Sequence, residues 1–211
     1  MIFSNRTQAA QLLAEKLAAF KGKNPLILAI PRGAVPMAKL IADALGGEFD
    51  VVLVRKLGAP GNPEFAIGAI DETGWAYLGP YAALAGADEG FIERAKAREL
   101  ETIRRRRAQY SPLHPPIDPQ GRIVIVVDDG LATGSTMLAA LHALRQRAPL
   151  NLVCAVPVAP PDTLEKVGAQ ADDVVCLYAP ESFQAVGQFY ADFGQVEDEE
   201  VIALLSERKQ P

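Results

Sequence analysis

Apolar residues fall in two rhythms along this chain. Leu26-Ile27-Leu28-Ala29-Ile30, Val51-Val52-Leu53-Val54, Ile123 to Val127, Leu152 to Val156 and Val174 to Leu177 are short, almost wholly apolar runs. Such runs read as strands buried on both faces. Helical spacing fills the gaps. Leu12, Leu13, Leu17 and Phe20 share one face of a helix over 5–20, which Ser4 or Asn5 can cap and Gly22 can end. Met37, Leu40, Ile41 and Leu45 form the next stripe, stopped by Gly46-Gly47. Residues 88–109 predict a long charged helix, 135–147 another, and Glu199 to Ser206 a terminal one, with a short helix between the last two strands. Phe65 to Ile70 and Trp75 to Leu78 read as an extended pair around the turn Asp71-Glu72-Thr73-Gly74. Strands alternating with helices predict an α/β fold, a mostly parallel sheet with helices on both faces. Ligands of such sheets sit at the carboxyl ends of the strands.

Composition narrows the class. A length of 211 residues suits one domain with its own core, so 1–211 is expected to fold as a unit. The formal net charge of −5 argues against a general nucleic-acid binder. No apolar stretch is long enough to span a membrane, and the N-terminus lacks a signal-peptide pattern. Cys154 and Cys176 sit in apolar runs and read as small buried hydrophobes, which fits a reducing, cytoplasmic setting.

The most informative stretch is Val124-Ile125-Val126-Val127-Asp128-Asp129-Gly130-Leu131-Ala132-Thr133-Gly134-Ser135-Thr136-Met137. A buried strand ends in two carboxylates, and a small-residue loop leads into a helix. Two carboxylates can accept hydrogen bonds from a diol, and a loop at a helix N-terminus can wrap a phosphate. Read without its chemistry, Asp-Asp-Gly is a turn and Ser135 an N-cap. The stretch has neither the Lys-Ser/Thr ending of a P-loop nor Gly-x-Gly-x-x-Gly, which argues against an ATPase or a dinucleotide site.

This segment closely resembles the phosphoribosyl pyrophosphate (PRPP) signature of type I phosphoribosyltransferases. The resemblance implies a Rossmann-like core carrying a small hood (about 58–80 and 178–198) and an inserted long helix (about 85–112). It implies Mg²⁺-dependent transfer of 5-phosphoribosyl from PRPP to a nitrogenous base, with release of pyrophosphate. Asp128 and Asp129 would take the ribose hydroxyls and lie near the metal. Gly130, Ala132, Thr133, Gly134, Ser135 and Thr136 would take the 5′-phosphate. Ile30-Pro31-Arg32-Gly33 follows a strand and opens a helix, as the family's pyrophosphate loop does, so Arg32 and Gly33 are pyrophosphate candidates. Val54-Arg55-Lys56 resembles the Val-Arg-Lys of adenine and orotate enzymes, which adds Arg55 and Lys56. Read on their own, these two segments are a Pro-flanked turn and a solvated basic pair.

Gly58-Ala59-Pro60-Gly61-Asn62-Pro63-Glu64 reads as a loop at the place of the family's flexible catalytic loop, though shorter and with Glu64 as its one charge. Ala132 stands where 6-oxopurine enzymes carry an aspartate, so the signature looks more like the adenine type. The segment Pro180 to Phe193 loosely resembles the base-stacking stretch of 6-oxopurine enzymes, which would place Phe183 on the base and Asp192 near metal; packing of the hood explains its aromatics equally well. Arg104 to Arg107 suit the end of the long helix, within spaced reach of Glu99 and Glu101. His114 and His142 have no carboxylate partner in sequence and receive no catalytic role. The expected partners are PRPP and a base, with room for a homodimer. The rival reading is a PRPP- or nucleotide-sensing regulator on the same fold.

Overall fold

The computed structural model describes residues 2–110 and 115–207. The first half contains α1 (Arg6–Lys16), β1 (Leu26–Ala29), α2 (Ala34–Leu45), β2 (Glu48–Val51), β3 (Val54–Ala59), β4 (Asn62–Asp71), β5 (Ala76–Leu78) and α3 (Glu89–Tyr110). The second half contains β6 (Ile123–Val127), α4 (Ser135–Arg145), β7 (Asn151–Val158), α5 (Pro161–Gly168), β8 (Asp173–Tyr178) and α6 (Asp198–Ser206). His114 lies outside the described residues.

β2, β1, β6, β7 and β8 form one sheet in that order, every pairing parallel. Alternate residues of each strand face opposite apolar layers, which is why the central strands β1 and β6 are apolar throughout. Ile27, Ala29, Ile125 and Val127 join the core formed by α1, α2 and α6. Leu26, Leu28, Val124 and Val126 face α4 and α5. Asn5 caps α1 by accepting from the Gln8 amide at 3.0 Å. Gly46 ends α2 in the left-handed conformation at φ 70°.

Two expectations need correction. The run Val51-Val52-Leu53-Val54 is not one strand. Val51 ends β2, the Val52 amide still reaches Ala29 O in the parallel sheet at 3.0 Å, and the Leu53 amide turns away to Glu72 Oε1 at 3.1 Å. Val54 then starts a second, antiparallel sheet of β3, β4 and β5. A uniformly apolar run carries no mark of the point where the chain changes sheets. Nor is 58–64 an open loop. Ala59 pairs with Asn62 around Pro60-Gly61, with Gly61 at φ 71°, so the segment is the tip of a β-hairpin. Pro then Gly at the centre of a tight turn supports that geometry. The register shifts at Gly58 absorb the irregularity.

The small sheet is held from both sides. Val54 and Ala69 belong with α4, whereas Leu57, Ile67 and Ile70 share a core with Ala95 and Ile103 of α3. His142 of α4 stacks on Trp75 at 3.6 Å between ring centroids, with Asp71 Oδ2 3.7 Å from its Nδ1. Asp50, 1 % exposed, fixes another crossing: its carboxylate accepts from the Val51 amide at 2.8 Å and the Ile117 amide at 2.9 Å. Asp50→Ala should therefore lower stability by about 2 kcal/mol, the cost of leaving a buried donor unpaired, and drop the thermal midpoint by about 4–8 °C. An unchanged midpoint would mean that water replaces the carboxylate without loss.

Candidate active site

Among the five parallel strands, numbered by their order in the chain, the spatial order is 2-1-3-4-5, and the direction of winding reverses between β1 and β6. Helices leaving those two strands cover opposite faces, so a crevice opens at their carboxyl ends. Pro31-Arg32-Gly33 lies at the end of β1, joined by a cis Pro31–Arg32 peptide, and Asp128-Asp129 at the end of β6. A cavity of about 390 Å³ fills the crevice.

The loop after β6 is anchored at several points. The Leu131 amide donates to Val158 O at 2.9 Å, and Thr163 Oγ1 donates to Ala132 O at 2.8 Å. Gly134, at φ 75°, stands where a Cβ would lie 2.8 Å from Thr163 Cγ2. Only glycine supplies both the backbone conformation and the room. α4 starts directly afterwards, and the Thr133 and Ser135 hydroxyls share a hydrogen bond at 3.0 Å. The amides of such a loop and first helical turn have no intrahelical partners and favour an anion.

The two carboxylates have different surroundings. Asp128 accepts the Asp129 amide at 2.9 Å; burial and the neighbouring Asp129 charge push its pKa well above the ordinary carboxylate value, against Lys56 and Arg6. Burial also raises Asp129, opposed by Arg6. Arg6 donates Nε to Asp129 Oδ2 at 2.8 Å and NH1 to Gly194 O at 2.5 Å, and its guanidinium lies 3.9 Å from the Phe193 ring centroid. Tyr190 donates its hydroxyl to Asp129 O at 2.6 Å, and burial raises the Tyr190 pKa. Gly33 comes so close that a Cβ there would meet Asp129 Oδ2 at 2.2 Å. The strand-end loops thus touch through Gly33, Asp129 and Arg6.

Of the residues singled out from sequence, Arg32, Gly33, Lys56, Asp128, Asp129, Gly130, Ala132, Thr133, Gly134 and Thr136 line this one cavity. Ser135 is buried beneath it. The Arg32 guanidinium is held by Glu197 Oε2 at 3.1 Å. Arg55 opens on an adjoining cavity and binds Glu99 Oε2 at 3.0 Å. Phe183 packs on Phe189, 5.2 Å between centroids, and Asp192 is exposed and accepts the Gly194 amide at 3.2 Å. Neither of these two is among the residues lining the cavity; Phe193 and Val186 are. Glu99 also departs from expectation. It bridges Arg55 and Arg98 instead of pairing with Arg104 to Arg107, because its helix face is pressed onto β3.

Sequence reasoning missed Arg6, Tyr190, Thr163 and the cavity-lining role of Phe193. Arg6 precedes Asp129 by 123 residues, and nothing local marks it. Tyr190 and Phe193 lie in the aromatic segment already noted, where spacing alone does not say which ring turns inward.

Crevice, carboxylate pair and phosphate-type loop define a protein of the phosphoribosyl transferase class, and residues 3–193 match the phosphoribosyl transferase domain. The chain belongs to that family. It is similar to TT1426 from Thermus thermophilus, whose crystal structure has 49% sequence identity, covers 98% of this chain and 99% of that one, and superposes with a TM-score of 0.82. Two Mycobacterium tuberculosis proteins whose names carry the words phosphoribosyl transferase, MT0597 (strain CDC 1551 / Oshkosh) and Rv0571c (strain ATCC 25618 / H37Rv), are each 39% identical over 205 residues. Those matches cover 97% of this chain and 46% of the relatives, so the chain spans about half their length. No helix among the described residues is long and apolar enough to cross a membrane.

Proposed function

We propose that this protein transfers the 5-phosphoribosyl group of PRPP to a nitrogenous base and releases pyrophosphate. One observation carries the reading: a carboxylate pair, an anchored anion loop and a strand-end Arg-Gly line a single cavity at the switch point of the sheet. In this reading Asp128 and Asp129 accept hydrogen bonds from the ribose 2′- and 3′-hydroxyls. Gly130 and the Ala132–Thr136 loop hold the 5′-phosphate at the start of α4. Arg32, Gly33 and Lys56 face the pyrophosphate, with Arg55 behind them.

The bond between ribose C1 and the pyrophosphate oxygen breaks while the base nitrogen approaches C1. Positive charge builds on the ring and negative charge leaves with pyrophosphate. Positioning and charge stabilisation then supply the acceleration, with no protein nucleophile. The residues fit Mg²⁺: Asp128 and Asp129 are two close carboxylates, burial of which disfavours their charge, and hard oxygen donors of this kind share such a cation with substrate phosphates. When bound, Mg²⁺ would neutralise charge on the departing pyrophosphate. Ala132 offers no side chain to assist at a base. Phe193, with Val186, is the apolar wall against which a planar acceptor could lie, in place of Phe183.

Calorimetric titration with PRPP and Mg²⁺ tests the reading. Saturable 1:1 binding is expected, followed by pyrophosphate release with one member of a panel of bases. No binding at millimolar PRPP would overturn it.

A further inference from the structure

A second cavity, of about 510 Å³, lies beside the first and shares Ile30, Pro31, Lys56 and Thr136 with it. Part of its wall is α3, the helix the sequence marked as an insertion. Among the described residues four cations line it, Arg55, Lys56, Arg98 and Arg106, against one carboxylate, Glu99. On a chain of formal net charge −5, that segregation concentrates anions at one place.

The cations are arranged by the helix. Phe91, Arg98, Glu99 and Arg106 recur at intervals of seven or eight residues and so form one stripe of α3. The intervening Arg104 and Arg105 are exposed and line neither cavity. Glu99 is 8 % exposed; its two oxygens accept separately from Arg55 Nε and Arg98 Nε, each at 3.0 Å. One carboxylate therefore orients two guanidinium forks while balancing only one of their charges. Lys56 and Arg106 form no salt bridge among the described residues. Planar forks held in place suit the oxygens of a phosphate better than freely rotating amines do.

We infer that this cavity is a polyanion subsite completed by α3, in which Arg98 and Arg106 bind the pyrophosphate group beside Lys56, and Glu99 is the positioning residue for Arg55 and Arg98. The inference rests on the donor reading above and adds to it a helix outside the signature. Thr136 and Lys56, lining both cavities, mark where a ligand would pass from the phosphate loop into the cationic one.

Separate titrations with inorganic pyrophosphate and with ribose 5-phosphate, both in Mg²⁺ buffer, test it. Arg98→Ala/Arg106→Ala should weaken pyrophosphate at least about tenfold, the loss expected for one charge-assisted hydrogen bond, and leave ribose 5-phosphate unchanged. Arg98→Lys/Arg106→Lys should recover part of that affinity. Unchanged pyrophosphate binding in the alanine variant, or equal losses for both ligands, overturns the subsite. Glu99→Gln separates positioning from charge: it removes a negative charge, which by itself would favour an anion, so weaker pyrophosphate binding supports positioning and tighter binding overturns it. Wild-type protein that binds ribose 5-phosphate but not pyrophosphate sinks the subsite alone. Wild-type protein that binds pyrophosphate through these arginines but never ribose 5-phosphate upholds the subsite and overturns the donor reading.

Discussion

Asp128→Asn is expected to lose PRPP at least about tenfold while melting higher than the wild-type protein at pH 7. The amide keeps an oxygen for the Asp129 N–H but gives up the charged acceptor that the ribose hydroxyls would use. Its effect on stability follows from linkage. Burial raises the Asp128 pKa in the folded protein, so the native state holds this proton more tightly than the unfolded chain does. Such a group favours folding below its unfolded value, near 3.9, and that contribution is lost as pH rises through the folded value. At neutral pH folding therefore works against this group, which the unfolded chain holds ionised and the buried site prefers protonated. Replacing the carboxyl by an amide removes that conflict, so the thermal midpoint at pH 7 should rise, and the advantage over wild type should disappear in scans near pH 3. With Asp129→Asn added, the affinity loss should reach about a hundredfold, two such hydrogen bonds. Unchanged PRPP affinity would remove the pair from the diol site. A lower midpoint at pH 7 would show that the charge is already compensated in the folded state.

Gly33→Ala should cost as much PRPP affinity as the double substitution, from outside the signature. Gly33 has helical backbone angles, φ −57° and ψ −31°, which alanine adopts freely, so its effect is steric alone. The added carbon would sit 2.2 Å from Asp129 Oδ2 and 2.9 Å from Arg6 Nε. Neither group has room to yield simply: Arg6 is tied to Gly194 O and stacked on Phe193, and the Asp129 backbone is held by Tyr190. We expect an overpacking cost of about 1–3 kcal/mol and a loss of PRPP affinity of about a hundredfold, as the Asp129 carboxylate turns away. Removing Arg6 as well should restore part of the stability by freeing space. A Gly33→Ala protein with wild-type affinity would show that Asp129 can move without leaving its ligand.

Much of the fold was legible where local rules were obeyed. β1, β6, β7 and β8 announced themselves as apolar runs, whereas β2 is Glu48-Phe49-Asp50-Val51 and carries two carboxylates that hid it, and α2 ended where Gly46 permits a left-handed cap. Legibility failed where one local signal served two outcomes. Val51 to Val54 is equally apolar in either sheet, so only the Glu72 oxygen that takes the Leu53 amide reveals the crossing. Gly58 to Glu64 has the composition of an open loop, yet Pro60 and Gly61 make a tight turn and Gly58, Ala59 and Asn62 pair across the hairpin. In the site, residues adjacent in sequence were found readily: Asp128 and Asp129, and the loop up to Thr136. Contacts between distant segments were not. Arg6 on Asp129, Tyr190 beneath it and Glu197 on Arg32 arise from packing α1, the aromatic segment and α6 around the crevice. Glu99 looked like one more surface charge until α3 was laid on β3.

The reversal of winding between β1 and β6 has a bearing on how this scaffold can change. Its crevice exists because the chain departs from two neighbouring strands toward opposite faces, not because atoms are missing from the interior; Ile27, Val124, Ile125 and Val126 directly below are wholly enclosed. A hollow obtained by route costs the interior no contacts. Rim side chains can therefore be exchanged without opening the strands underneath, although Phe193 also supports Arg6. Descendants of one such chain could reshape the rim at Val186 while inheriting the floor unaltered.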